Sequence, residues 1–199
     1  MTTPDFRADL GAGSLLVRES RFVADLLLRG ATSADFQQAL MRDNVLQKKN
    51  PVSARRQARL IRNRLEPMSR DIWLFVCDGS LDQAVHALFC AAIRQNRLLG
   101  DFLLTVVQEH HRTFKKSISS QDYHQFFQRC IQIKPDLAEL SPSTIEKIRQ
   151  VIFRILAEAG IVESSRSLRL RPFLLLPEIR ACMFATNEEY VLKCLEGLP

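Results

Sequence analysis

The chain has 199 residues, 46% hydrophobic and 25% charged, with a formal net charge of +6. That composition excludes wholesale disorder and leaves room for one large domain or two small ones with a full core. No apolar run approaches the roughly 18–20 residues that span a bilayer, so a membrane-spanning helix is excluded as well.

Residues 1–12 read as a loose leader without the basic and apolar regions of a secretory signal. From Ser14 onward Leu15, Leu16, Phe22, Val23, Leu26 and Leu27 recur at helical spacing, and Gly30 supplies a stop. Thr32 or Ser33 then caps a short helix over 34–41. The next stretch, 44–65, reads NVLQKKNPVSARRQARLIRNRL. It carries Lys48, Lys49, Arg55, Arg56, Arg59, Arg62 and Arg64, with no acid between Asp43 and Glu66. These seven cations exceed the net charge of the whole chain, so the positive charge is local and the remainder is close to neutral. With Ser53 as N-cap, Ala54, Ala58, Ile61 and Leu65 share one helical face, and Arg55, Arg59 and Arg62 form a stripe beside it, flanked by Arg56. Docking the apolar side on a core would fix the arginines in an outward row. Planar, permanently charged forks held in this way suit phosphate recognition. The plainer alternative is a solvated basic face. A short helix, a turn at Lys49–Asn50–Pro51 and a second helix make a helix-turn-helix outline.

Ser69 is placed to cap a helix over 70–77, which contains the only tryptophan, Trp73. Ser80 and Gln83 form a capping-box pair for a helix over 81–96 that is apolar nearly all round and therefore central. A second largely apolar helix is expected over 98–114. The polar stretch 115–120 divides an N-terminal half, 1–118, from a C-terminal half, 119–199. In the latter, Tyr123, Phe126, Phe127 and Cys130 face inward from a helix over 122–133, and one further turn follows Pro135. Ser141 before Pro142, or Ser143 with Glu146, caps the best-punctuated helix of the chain. Its apolar face runs from Ile145 to Ala159, Gly160 ends it, and Lys147, Gln150 and Arg154 share another face. Beyond it, Ile161–Val162 and 168–176, with Arg166, Arg169 and Arg171, form either a small hairpin wing or an extended connection. Pro172 and Pro177 argue against a long strand. Helices over 177–184 and 188–195 close the chain. The expected fold class is all-α, a multi-helix globular protein with two helix-turn-helix-like motifs and a short β wing near 161–176.

The residues for catalysis are sparse. Seven glycines include no phosphate loop. Glu109–His110–His111 lacks the histidine at i+4 that would set two imidazoles on one helical face. The five cysteines (Cys77, Cys90, Cys130, Cys182 and Cys194) are scattered among apolar residues, with no C-x-x-C pair. They suit reduced core thiols in a cytoplasmic protein better than a disulfide framework or a zinc site. The expectation is thus a protein that is not an enzyme, needs no cofactor or metal, and binds a polyanion. Duplex DNA is favoured over RNA, because a helix fits the major groove of B-form DNA and no strands alternate aromatic with basic residues.

Several stretches, taken in order along the chain, resemble the BrxA family of bacteriophage-exclusion (BREX) defence systems. They are GSLLVRESRFVADLLLRG at 13–30, LQKKNPVSARRQARLIRNRLE at 46–66, RLLGDFLLTVVQEHHRTFKK at 97–116, VIFRILAEAGIVESSRSLRLRP at 151–172 and EYVLKCLEG at 189–197. The resemblance implies a compact, all-helical cytoplasmic protein with two helix-turn-helix motifs, binding double-stranded DNA within a phage-restricting assembly. It points to Arg55, Arg56, Arg59 and Arg62 in the first motif and to Lys147, Arg149 and Arg154 in the second. Lys48, Lys49 and Arg64 from the basic block, and Arg166 and Arg169 from the wing, complete the candidate set. A monomer that contacts other BREX components is expected. The alternatives are an adaptor whose basic face meets an acidic protein, or an RNA-binding helical bundle.

Overall fold

Residues 10–11 and 13–198, without the side chain of Met41, are described by a computed structural model. The leader expected over 1–12 lies outside these residues except at Leu10 and Gly11, and there the expectation fails: Leu10 is wholly buried in the core.

The helices in chain order are α1 (Val17–Leu28), α2 (Ser33–Met41), α3 (Pro51–Leu65), α4 (Arg70–Cys77), α5 (Leu81–Gln95), α6 (Arg97–Phe102), α7 (Gln108–Arg112), α8 (Ser120–Ile133), α9 (Pro142–Glu158), α10 (Pro177–Ala185) and α11 (Glu189–Leu195). Their boundaries reflect local chemistry. Reciprocal capping boxes open α2 (Thr32–Asp35), α5 (Ser80–Gln83) and α8 (Ser119–Asp122). Left-handed Gly30 and Gly160 come just after the ends of α1 and α9. Asn50, not Ser53, caps α3: its side chain accepts from the Val52 amide, and Pro51 takes the first helical position. The arginine helix therefore begins before the expected cap. Ser141 caps α9 by accepting from the Thr144 amide, while Glu146 turns to Arg149 instead of the helix start.

Helix α5 is the hub. Ala84, Ala87, Leu88, Phe89 and Cys90 are at most 1% exposed, and α3, α4, α6 and α11 pack around it. The second apolar helix departs from regularity. A π turn, Leu103–Val107, joins α6 to α7 and shifts the helical register of α7 relative to α6. Gln108 is thereby turned inward, and its amide donates to the Lys193 and Glu196 carbonyls (2.9 and 2.7 Å), satisfying the end of α11. Gly100 is required beneath Tyr190, because a Cβ there would lie 2.1 Å from the phenol oxygen. Tyr190 in turn donates to Asp101 Oδ1 (2.9 Å) and carries the Arg97 guanidinium 3.6 Å above its ring.

An aromatic cluster fixes the C-terminal helices to α6. Phe102 meets Phe126 with ring centroids 5.2 Å apart, and Tyr123 meets Phe153 at 6.2 Å. Between α8 and α9 lies a 3-10 turn, Pro135–Glu139. After α9 the chain folds back on itself, with antiparallel bridges at Val162–Leu170 and Ser117–Arg169. The Ile118 amide donates to the Leu168 carbonyl (3.0 Å) and the Leu170 amide to the Lys116 carbonyl (2.9 Å). The wing thus exists as a hairpin with one bridge of its own, Val162–Leu170, and one from Arg169 to Ser117, and no sheet forms among the described residues. Part of the polar stretch 115–120 serves as its third, extended rung.

Candidate nucleic-acid interface

Helix α3 docks as its periodicity predicts. Ala54, Ala58, Ile61 and Leu65 are at most 1% exposed, and Arg55, Arg56 and Arg59 point outward. Between α2 and α3 lies an open groove of about 490 Å³, lined by Phe36, Gln37, Arg55, Arg59, Arg62 and Glu66. Arg62 is partly committed within it. Its guanidinium sits 4.3 Å above the Phe36 ring and donates through Nε and Nη2 to Glu66 Oε1 (2.9 and 2.5 Å). An incoming phosphate would have to compete with that carboxylate. Arg56 and Arg59 have no ion pair among the described residues, and neither has exposed Lys49. Lys48 is held by Glu19 at 2.5 Å, so its charge is largely balanced.

Arg64 leaves the candidate set. It is 1% exposed, and it donates to the Ser14 carbonyl (2.5 Å), the Gly13 carbonyl (3.2 Å) and Gln95 Oε1 (2.9 Å). A buried guanidinium satisfied by carbonyls is a structural tie. The same peptide is gripped from the other side of the chain: Glu158, at the end of α9, accepts from Ser14 Oγ (2.7 Å) and from the Leu15 amide (2.8 Å). Residues 13–15 therefore link the arginine helix to α9. Sequence reasoning missed this clamp, since no short-range pattern pairs residues so far apart.

On α9 the stripe Lys147, Gln150 and Arg154 is exposed, and neither cation has an ion pair among the described residues. Arg149, expected beside them, faces elsewhere. It forms a bidentate pair with Glu146, donates to Ser120 Oγ (2.9 Å), and lies 5.1 Å from the Phe153 ring centroid. The Arg149 hydrogen bonds hold the Glu146 carboxyl down at about 2 and raise the guanidinium's own affinity for its proton. Arg149 thus ties α8 to α9 and has little charge to offer a ligand. Arg166 and Arg169 are exposed on the hairpin, whose tip is shaped by Ser164 Oγ accepting from the Ser167 amide (3.0 Å).

The remaining titratable groups are embedded in structure. Buried His110 lies 3.2 Å from Asp122 Oδ2 at the start of α8. Burial pushes the Cys130 and Cys194 thiols up to about 12, far from reactive thiolates. Among the described residues no cluster of His, Cys, Asp or Glu could hold a metal ion, and no helix is long and apolar enough to cross a membrane.

The all-helical fold is shared with a crystal structure of a protein from Magnetospirillum magneticum. The two align with a TM-score of 0.90 and 37% identity, covering 96% of this chain and 98% of that one. Among proteins named "BREX protein BrxA", that of Paramagnetospirillum magneticum is 38% identical over 98% of both chains. That of Escherichia coli O9:H4 is 33% identical over 95% of this chain and 89% of its own. The BrxA family model matches residues 4–187, and the chain belongs to that family.

Proposed function

We propose that the protein is a non-enzymatic, double-stranded-DNA-binding component of a BREX-type anti-phage system, acting alongside other BREX components. The observation that carries the reading is a pair of exposed cationic faces that have no ion-pair partners among the described residues, Arg56 and Arg59 on α3 and Lys147 and Arg154 on α9. Each lies on the second helix of a helix–turn–helix succession. The second succession has the order of a winged helix: α8, a 3-10 turn, α9, then a hairpin bearing Arg166 and Arg169 at and beside its tip. In such an arrangement the second helix enters the major groove and flanking cations engage phosphates. Residues 13–15 tie α3 to α9 through Arg64 and Glu158, so the fold sets the separation of the two faces.

The test is fluorescence anisotropy with a labelled DNA duplex at about 150 mM salt, beside an RNA duplex of the same sequence and an acidic polypeptide. The proposal expects saturable binding of DNA that weakens steeply with salt. Preference for RNA would move the protein to the RNA-binding reading. Binding of the acidic polypeptide alone would make the cationic faces a protein-docking surface.

A further inference from the structure

Phe114, in the turn after α7, combines two unfavourable features. It adopts a left-handed backbone with φ 57°, and its side chain is 89% exposed. It fills the position closing α7, with its amide donating to the His111 carbonyl and the Lys115 amide to the His110 carbonyl (3.1 and 2.9 Å). Glycine is the usual residue there, because a Cβ is strained in that conformation. Leu16 and Leu168 share the left-handed geometry, but they pack against or within the core, so burial offsets the strain. Phe114 has no such return.

Its surroundings are cationic. Lys115 and Lys116 come directly after it, and the Leu170 amide donates to the Lys116 carbonyl (2.9 Å). The adjacent bridge between Ser117 and Arg169 brings Arg169 and Arg171 alongside. Lys115, Lys116, Arg169 and Arg171 are all exposed, and none has an ion pair among the described residues. The acids nearest in sequence are engaged elsewhere: Glu109 lies 3.9 Å from Arg112, Glu163 accepts from Ser167 Oγ (2.8 Å), and Asp122 accepts from the Ser119 amide and Oγ (2.8 and 2.6 Å).

We infer that this surface binds single-stranded nucleic acid, one unpaired base stacking on Phe114 while Lys115, Lys116 and Arg171 hold the flanking phosphates. A flat exposed ring followed by two lysines matches the alternation of base and phosphate along a single strand, and stacking needs a base face that a closed duplex hides. The site goes beyond duplex binding and does not need the α3 and α9 faces.

The experiment uses the full chain and a labelled oligothymidylate of about 15 nucleotides, near the upper site size of single-strand binders. Phe114→Gly is expected to weaken binding roughly 5- to 150-fold, and Phe114→Tyr to retain it. The same Phe114→Gly protein should melt no lower than wild type, and up to about 2–4 °C higher, since glycine relieves the backbone strain. Binding of linear polyphosphate, which has charge but no bases, should not change. Any of three results overturns the inference: no oligothymidylate binding by the wild-type chain, equal binding by Phe114→Gly, or a matching loss on polyphosphate. Phe114-dependent binding of polyglutamate but not oligothymidylate would give the surface to an acidic protein instead. Failure of the duplex assay with oligothymidylate binding intact would refute the proposed function and leave this site standing.

Discussion

Arg64 separates a structural reading of the basic block from a purely electrostatic one. In sequence it is one of seven cations; in the fold it is 1% exposed and donates to the Gly13 and Ser14 carbonyls and to Gln95. Arg64→Ala strips those three acceptors of a donor. A buried acceptor left unsatisfied costs about 1–3 kcal/mol, and water entering the vacated space recovers part of that. Three such losses, less what water recovers, leave a net cost of about 3–5 kcal/mol. For a chain of this size about 2–4 °C of Tm accompanies each kcal/mol, so the midpoint should fall by about 6–20 °C. Far-UV circular dichroism on heating reads the fall directly. The salt dependence of duplex binding, measured well below the midpoint, should be unchanged. A Tm within about 2 °C of wild type, joined to a salt slope lowered by about 0.9, would refute the assignment and return Arg64 to the binding surface.

The same geometry sets three further outcomes. Glu146, held at about 2 by Arg149 against an ordinary 4.5, contributes stability that is present above about pH 4.5 and lost as pH falls through about 2. The pair is partly exposed, so its contribution is about 1 kcal/mol or less. The Tm difference between wild type and Glu146→Gln should therefore shrink toward acid, and a difference that is constant with pH would contradict the pairing. Gly100→Ala places a methyl on Tyr190 and should cost about 1–3 kcal/mol; an unchanged Tm would show that the phenol moves away freely. Cys90 is fully buried, and burial holds the Cys130 and Cys194 thiols up to about 12. These thiols should label with a disulfide reagent only at the rate of unfolding, and rapid labelling of the native chain would contradict their burial.

Periodicity and punctuation carried most of the helices. Thr32, Ser80 with Gln83, Ser141 with Pro142, and Gly160 all sit at the boundaries their chemistry implies, because capping is local. The α3 start lies before Ser53 because Asn50 before Pro51 is as good a cap as Ser53, and only backbone geometry decides between them. The π turn has no sequence signature, since Leu103–Val107 reads as part of a regular, largely apolar helix. For the site, residue type and helical phase placed Arg55, Arg56, Arg59, Lys147 and Arg154 on exposed faces. They could not foresee that Arg64, Lys48 and Arg149 find carbonyls or carboxylates in the folded chain. The Arg64 and Lys48 partners are distant in sequence. That of Arg149, Glu146, lies only one helical turn away, but it also fitted a capping role.

If two fixed cationic faces engage one DNA duplex, each must contribute to the salt dependence of binding. The decisive quantity is the slope of log K against log salt for wild type, Arg56→Ala/Arg59→Ala, Lys147→Ala/Arg154→Ala and the fourfold combination. Each phosphate contact contributes about 0.9 to that slope. A decrease of about 1.8 is expected for each pair and about 3.6 for the four together, with every variant melting as wild type does. A slope unchanged in all three variants, or no duplex binding by the wild-type chain at about 150 mM salt, would contradict engagement of DNA by these faces.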